Sequence, residues 1–247
     1  MDKALYIAMT GASQAMQAQA GHANNMANAS TTGFKSDYMQ ARAQPVFYGE
    51  GLPTRAYSQA ENPATDFSMG SMMETGSDLD VAIDGEGFIA VLGKDGKEAY
   101  TRAGSLHMDA SGMLLTGNGL PVLGNGSPIT IPQQEKIEIG VDGTINIRPL
   151  GGSATELSAL DRIKLVKPDL KQVEKGADGL FRLKDGKPAE ADANVRVTQG
   201  FLESSNVNAV AEMIDVLALA RSYDMQVKMM QTMSSNADAS ARVLQVS

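Results

Sequence analysis

The chain has 247 residues, 43% of them hydrophobic, only 5% aromatic, with no Trp and no Cys. That is enough apolar material for a sizeable core, while the missing cysteines exclude disulfides, thiol catalysis and thiolate metal sites. A net charge of -8 leaves no basic stripe to neutralise phosphates, which argues against nucleic acid and against an anionic membrane surface as partner.

Residues from Asp2 to about Ser30 read as one helix. Asp2 can cap it, no proline interrupts it, and Ala, Met and Gln dominate. Leu5, Met9, Ala12, Met16, Gln19, Ala23 and Met26 recur at alternating steps of four and three, a heptad seam of small and adaptable side chains. Through Thr32 the only charged residues are Asp2 and Lys3, so the helix is expected to be covered on most sides. The opening Met1-Asp2-Lys3-Ala4-Leu5 lacks the apolar core of a secretory signal. No apolar run reaches the roughly 18 residues of a membrane span, so any export uses a route without a cleaved signal and no membrane insertion is expected.

From about Gly33 to Gly76, Pro45, Pro53 and Pro63 alternate with Gly49, Gly51, Gly70 and many Ser and Thr. The composition predicts an extended arm or a long hairpin resting on something else. Residues 77–200 are β-rich: Asp-Gly pairs at Asp84, Asp95, Asp142, Asp178 and Asp185, and Asn-Gly pairs at Asn118 and Asn125, mark tight turns. Apolar positions alternate between them, at Val81 and Ile83, at Phe88, Ala90 and Leu92, at Ile137, Ile139 and Val141, at Ile145 and Ile147, and at Ile163 and Leu165. This predicts an antiparallel sheet or irregular barrel. Asp84-Gly85-Glu86-Gly87-Phe88 and Asp178-Gly179-Leu180-Phe181 echo each other too briefly to form a repeat.

From about Asn206 to Ser247 the pattern is helical again, with Asn208 as candidate cap. Val210, Met213, Leu217, Ala220, Tyr223, Val227, Met230, Ser234, Ala237, Ala241 and Leu244 form a stripe of threes and fours. Two consecutive threes around Ala220 mark a local slip. Only seven charges fall between Asn208 and Ser247. The expected architecture is α+β: an N-terminal helix (1–32), an arm or hairpin (33–76), a central antiparallel β-rich domain (77–200) and a C-terminal helix (201–247). The two long helices are expected to pack as a coiled-coil-like assembly domain. Pairing the seams within one chain still leaves broad uncharged surface, which lateral contact with identical or related subunits would cover.

Chemistry-bearing constellations are absent, and no catalytic, cofactor-binding or metal-ligating residue can be nominated. His22 and His107 lie in different zones, Asp84-Gly85-Glu86-Gly87 does not match a calcium loop, and Gly117-Asn118-Gly119 does not lead a strand into a helix. The Met225, Met229, Met230, Met233 stretch reads as adaptable packing.

Three blocks resemble the flagellar rod and hook proteins. They are Asn24-Asn25-Met26-Ala27-Asn28-Ala29-Ser30-Thr31-Thr32-Gly33-Phe34-Lys35, then Leu79 to Phe88 with Ala99-Tyr100-Thr101-Arg102-Ala103-Gly104, then Leu202-Glu203-Ser204-Ser205-Asn206-Val207-Asn208. The opening Met1-Asp2-Lys3-Ala4-Leu5-Tyr6 and the modest length are similar to proximal-rod members. Met26 stands where Leu or Ile is usual, and Ser222-Tyr223-Asp224 replaces the commoner Arg/Thr-aromatic-Glu pattern. The resemblance implies a structural subunit of the periplasm-spanning rod that transmits torque, secreted unfolded through the flagellar type III export apparatus. Implied partners are proximal-rod proteins, the distal-rod protein and copies of the chain itself.

The residues expected at assembly contacts are Leu5, Met9, Ala12, Met16, Ala23 and Met26 on the first helix. Met213, Leu217, Ala220, Val227, Met230 and Leu244 are their counterparts on the last. Asn24, Asn25 and Asn28 can bond across a subunit contact without bringing a charge, or merely cap a fraying helix end. Gly33 can take the left-handed turn that ends a helix and releases the arm, and Phe34 can anchor that turn. Asn206 and Asn208 read first as helix caps. A distal-rod or hook paralogue, and a secreted β-domain enzyme or binding module dimerised by its helices, are the alternative readings.

Overall fold

The computed structural model describes residues 3–46, 55–60, 64–149 and 158–246. The candidate cap Asp2, and Gly49, Gly51, Pro53 and Pro63, lie outside them, as does the side chain of Leu244. The chain divides into two compact units, one formed by residues 1–29, 36–66 and 207–247 and the other by residues 30–35 and 67–206. It is α+β, with two long helices and antiparallel strands.

The first unit contains helix α1 (Lys3–Ala27) and helix α2 (Ala209–Val246). Both arise where helix-forming Ala, Met, Gln and Leu run without proline. The first two described strands, β1 (Asp37–Tyr38) and β2 (Ala41–Val46), are followed by β3 (Arg55–Ala60) and β4 (Ala64–Thr65). β2 pairs antiparallel with β3 from Ala41↔Ala60 to Val46↔Arg55, and β1 pairs with β4. α1 and α2 run antiparallel, because His22 meets Glu212, Gly11 meets Gln226, and Ala4 shares a cavity wall with Met229 and Met233.

The second unit is built on a five-stranded sheet in the spatial order Leu165–Val166, Phe88–Leu92, Glu98–Thr101, Phe181–Leu183, Val173–Lys175. A three-stranded sheet (Gln134–Ile139, Thr144–Pro149, Ser158–Arg162) and three two-stranded ribbons complete it. Val81–Asp84 pairs with Arg196–Gln199, and Met72–Glu74 with Phe201–Glu203. Ile89 and Val91 enter a large aliphatic core with Val81, Leu114, Ile145 and Ile163. Phe88 and Ala90 enter a second core with Tyr100, Val166 and Phe181 on the opposite face. The strand Phe88–Leu92 is therefore apolar on both faces because both are covered, and alternation alone could not assign it. The two halves of the short sequence echo meet here, with the Phe88 and Phe181 rings 5.1 Å apart.

All seven glycines of the Asp-Gly and Asn-Gly pairs have positive φ, from +69° at Gly186 to +112° at Gly126. An L side chain would clash with its own backbone there, so the turns sit where local chemistry dictates.

Candidate assembly interface

α1 presents two rows of side chains. Ala8, Ala12, Ala15 and Asn25 are buried, with Ala4, Gly11, Ala18 and His22 half-buried beside them. The inward row Ala4, Ala8, Gly11, Ala15, Ala18, His22, Asn25 steps by alternating fours and threes. It lies one residue before the seam expected from sequence. Of that seam only Ala12 is buried, and Leu5 and Gln19 are half-buried, whereas Met9, Met16, Ala23 and Met26 are exposed, Met16 to 56%. Small residues explain the choice, since they let the helices approach closely: a Cβ on Gly11 would stand 3.0 Å from the end of Gln226.

α2 mirrors this. Glu212, Val216, Leu219, Tyr223, Gln226, Met230 and Met233 are half-buried, again at alternating fours and threes. Val210, Met213, Ile214, Leu217, Met225 and Met229 are exposed, Leu217 to 50%. The slip in the sequence stripe now has a cause. Its early members Val210, Met213 and Leu217 lie on the outer face, and its later members Ala220, Tyr223, Val227 and Met230 lie toward the partner helix. The pairing face is thus small on α1 and larger on α2, and the outer faces of both helices carry large apolar side chains with few charges.

The asparagines separate by role. Asn25 is occupied inside the chain: its Nδ2 donates to Asp37 O at 3.0 Å and its Oδ1 accepts from Asp37 N at 3.0 Å, a strand-like pairing. Its Nδ2 also reaches Glu212 Oε1 at 3.2 Å, and Glu212 Oε2 bonds His22 Nδ1. Asn28 Nδ2 donates to the backbone oxygen of Asn24 at 2.9 Å where α1 ends, and Asn24 itself is exposed. Asn208 caps α2, its Oδ1 accepting from Val210 N at 3.1 Å and Ala211 N at 3.2 Å. Asn206 does not cap; its Nδ2 donates to Ser68 Oγ at 3.2 Å in the second unit.

α1 ends at Ala27, so Gly33 is not its terminating residue, although its φ of +69° is the left-handed one expected. Gly33 N donates to Glu203 O at 2.8 Å, and a Cβ there would lie 2.3 Å from the Arg102 backbone. Both the φ and the close approach require glycine. Phe34 is held by Lys175, whose Nζ lies 3.9 Å above its ring.

Beside Gly33 the second unit buries a charged triad that sequence reasoning did not single out. Glu203 Oε1 accepts from Lys35 Nζ at 2.7 Å and from Gly70 N at 3.0 Å. Its Oε2 accepts from Arg102 Nε at 2.6 Å. Arg102 Nη2 is as close to that oxygen but makes no hydrogen bond to it, so the two meet as an ion pair only. Arg102 Nη1 donates to Gly85 O and Gly87 O, and Lys35 Nζ to Ser68 O. All three side chains are at most 4% exposed. The signal was available: Lys35, Arg102 and Glu203 each stand in one of the three sequence blocks, 67 and 101 residues apart in sequence. Nothing local marks them as partners.

His107 is exposed on the strand Leu106–Met108, and Asp84 is exposed at its turn. Among the described residues no group of three or more His, Cys, Asp or Glu could hold a metal ion.

Three family models match the chain. "Flagella basal body rod protein" covers residues 5–35, "Flagellar hook protein FlgE/F/G D1 domain" residues 82–147, and "Flagellar basal body rod FlgEFG protein C-terminal" residues 198–243. Each matched segment supplies one member of the buried triad. A flagellar basal-body rod protein FlgF of Escherichia coli K12 is 43% identical over 100% of both chains. The FlgF of Caulobacter vibrioides is 34% identical over 93% of each. A basal-body rod protein FlgG of Buchnera aphidicola from Schizaphis graminum is 29% identical over 85% of this chain and 87% of its own.

Proposed function

The chain belongs to the flagellar basal-body rod protein family and is a structural subunit of that rod, not an enzyme; we propose that it is held there by its two terminal helices. Its likeness runs over the full chain to proteins named FlgF. It resides in the flagellar basal body, and among the described residues no helix is long and apolar enough to cross a membrane.

The observation that carries the reading is the outer face of the helix pair. Met9, Met16, Met26, Val210, Met213, Ile214 and Leu217 are exposed; α1 carries almost no charge beside them, and α2 before Met229 only Asp215, Arg221, Asp224 and Lys228 on its exposed side. A soluble monomer rarely keeps so many large apolar groups on adjoining helices, whereas neighbours packed side by side would cover them. Methionine suits contacts that differ from one neighbour to the next, because its unbranched side chain adapts. In this reading the helices form a coiled-coil-like wall in the proximal part of the periplasm-spanning rod. The neighbours are other proximal-rod subunits, the distal-rod protein and further copies of this chain. Their combined helix contacts transmit torque. Passage as an unfolded chain through the type III export apparatus fits helices that complete their burial only on assembly.

Leu217→Asp tests this. Truncating a buried Leu even to Ala costs about 2–5 kcal/mol, and an unpaired buried carboxylate adds to it. At half exposure in the free chain the same change costs little. The variant is expected to be made, exported and to melt normally, while basal bodies stop short of the distal rod and cells do not swim. Normal motility would remove Leu217 from any essential contact, and an unfolded purified variant would place it in the chain's own core.

A further inference from the structure

The two helices of the first unit carry more than half of the chain's 15 methionines. Met9, Met16, Met26, Met213 and Met225 stand outside the pairing rows and are exposed, from 39% at Met26 to 60% at Met225. Met230 and Met233 belong to the inward row of α2 and are half-buried. The chain has no Cys and no Trp, so the thioether is its most readily oxidised side chain. Susceptibility follows exposure, which singles out the five outer positions.

The oxidant class that fits is a peroxide. The sulfur lone pair attacks one peroxide oxygen, an S–O bond forms as the O–O bond breaks, and the second oxygen leaves as water with both protons. Sulfur is oxidised by two electrons and the peroxide is reduced by two. A methionine sulfoxide reductase reverses the step, releasing the oxygen as water with two electrons from a dithiol. The product is polar and chiral where the thioether was apolar and pliable. In the free chain water solvates the new oxygen, so the cost there is small. Under a neighbouring subunit the oxygen is desolvated, and outer faces as poor in charge as these supply few donors to meet it.

We propose that Met9, Met16, Met26, Met213 and Met225 are oxidation sites that govern entry of the free subunit into the rod. A chain with thioethers assembles and its sulfurs are then covered; a chain with sulfoxides is refused until it is reduced. The proposal rests on the rod-subunit reading and concerns the interval before assembly.

The test uses cells that are building rods under sublethal hydrogen peroxide. Sulfoxide at each methionine is measured by peptide mass spectrometry in unassembled chain, in basal bodies completed during exposure and in basal bodies completed before it. In the unassembled chain the five outer methionines are expected to carry about fivefold more sulfoxide than Met230 and Met233. Basal bodies completed during exposure should hold about tenfold less at those five positions than the unassembled chain. The same cells also express a tagged variant with Met9→Leu, Met16→Leu, Met26→Leu, Met213→Leu and Met225→Leu, a change that nearly conserves volume and is inert to peroxide. Variant and wild type should enter rods equally without peroxide, and the variant should be enriched about tenfold with it. If the variant fails to enter rods even without peroxide, the sulfoxide contents of the wild-type chain decide alone. Equal sulfoxide in unassembled chain and newly completed basal bodies, an unshifted variant ratio, or outer methionines no more oxidised than Met230 and Met233 each overturn the proposal and leave the rod-subunit reading intact. Rods completed before exposure separate the two. Outer methionines oxidised there as fast as in the unassembled chain would show uncovered helix faces and overturn the reading together with the proposal.

Discussion

Glu203 shows how much one side chain can hold in this protein. Its two carboxylate oxygens take Lys35 and Arg102, both buried, and its backbone oxygen takes Gly33 N. Desolvating three charges is expensive, and the arrangement is tolerable only because nearly every donor finds an acceptor. Removing the shared carboxylate leaves two buried cations facing each other. Glu203→Ala is therefore expected to lower the stability of the second unit by about 3–5 kcal/mol, read as a fall in the urea midpoint by circular dichroism. An unchanged midpoint would show that the triad holds nothing. Tyr100 gives a second residue-scale expectation. Burial, opposed by the Ala189 N–H and reinforced by Glu98, pushes its phenol up to about 12. An unfolded tyrosine ionises near pH 10, so between about pH 10 and 12 the unfolded chain has lost a proton that the folded chain keeps. Stability must fall across that window, by about 2 kcal/mol. Tyr100→Phe loses the bond from Ala189 N at every pH but should lack this alkaline fall. Parallel wild-type and Tyr100→Phe stability profiles from pH 9 to 12 would count against it.

At the scale of elements, the choice between two neighbouring rows on α1 decides what the helix can do. The row containing Ala8 and Ala15 packs inward because only small side chains allow α2 so near, and this leaves Met9 and Met16 outside. Periodicity finds both rows equally well, since they differ by a single residue, and hydrophobicity favours the methionines. The larger side chains were therefore the natural sequence choice for a seam, yet within the chain they are the surface. Ala15→Leu should overpack the pair and destabilise it by about 1–3 kcal/mol, whereas Met16→Leu should leave the melting of the isolated chain unchanged. Thermal unfolding followed by helical circular dichroism distinguishes them, and equal effects would mean that the inward row is misplaced. The turns behaved differently. Each Asp-Gly and Asn-Gly pair acts through the φ of its own glycine, so the sequence located all seven without reference to partners.

For the molecule as a whole, burial is unequal. The second unit encloses many fully buried Ile, Val, Leu and Phe side chains, while no described residue of α2 is fully buried and α1 buries mainly alanines. The helices of the isolated chain should therefore open far more readily than the β core. Amide exchange in α1 and α2 is expected to be faster than in Phe88–Leu92 by on the order of 100-fold, with limited proteolysis cutting the ends first. Equal protection in a demonstrated monomer would mean that the helices need no neighbours.

The sequence by itself determined the properties that act over a few residues: two helices with repeating threes and fours, seven glycine turns, a β-rich middle, and too few charges on the long helices. It also carried the three family blocks, because motifs are read along the chain. Only the tertiary structure decided which helix row faces inward, that Asn25 pairs with Asp37, that Asn206 ties to Ser68, and that Lys35, Arg102 and Glu203 meet. Backbone φ preference and side-chain periodicity are local and leave a trace in neighbouring residues. An ion pair across 168 residues, or a choice between adjacent faces, depends on the volume and charge of what folds against it.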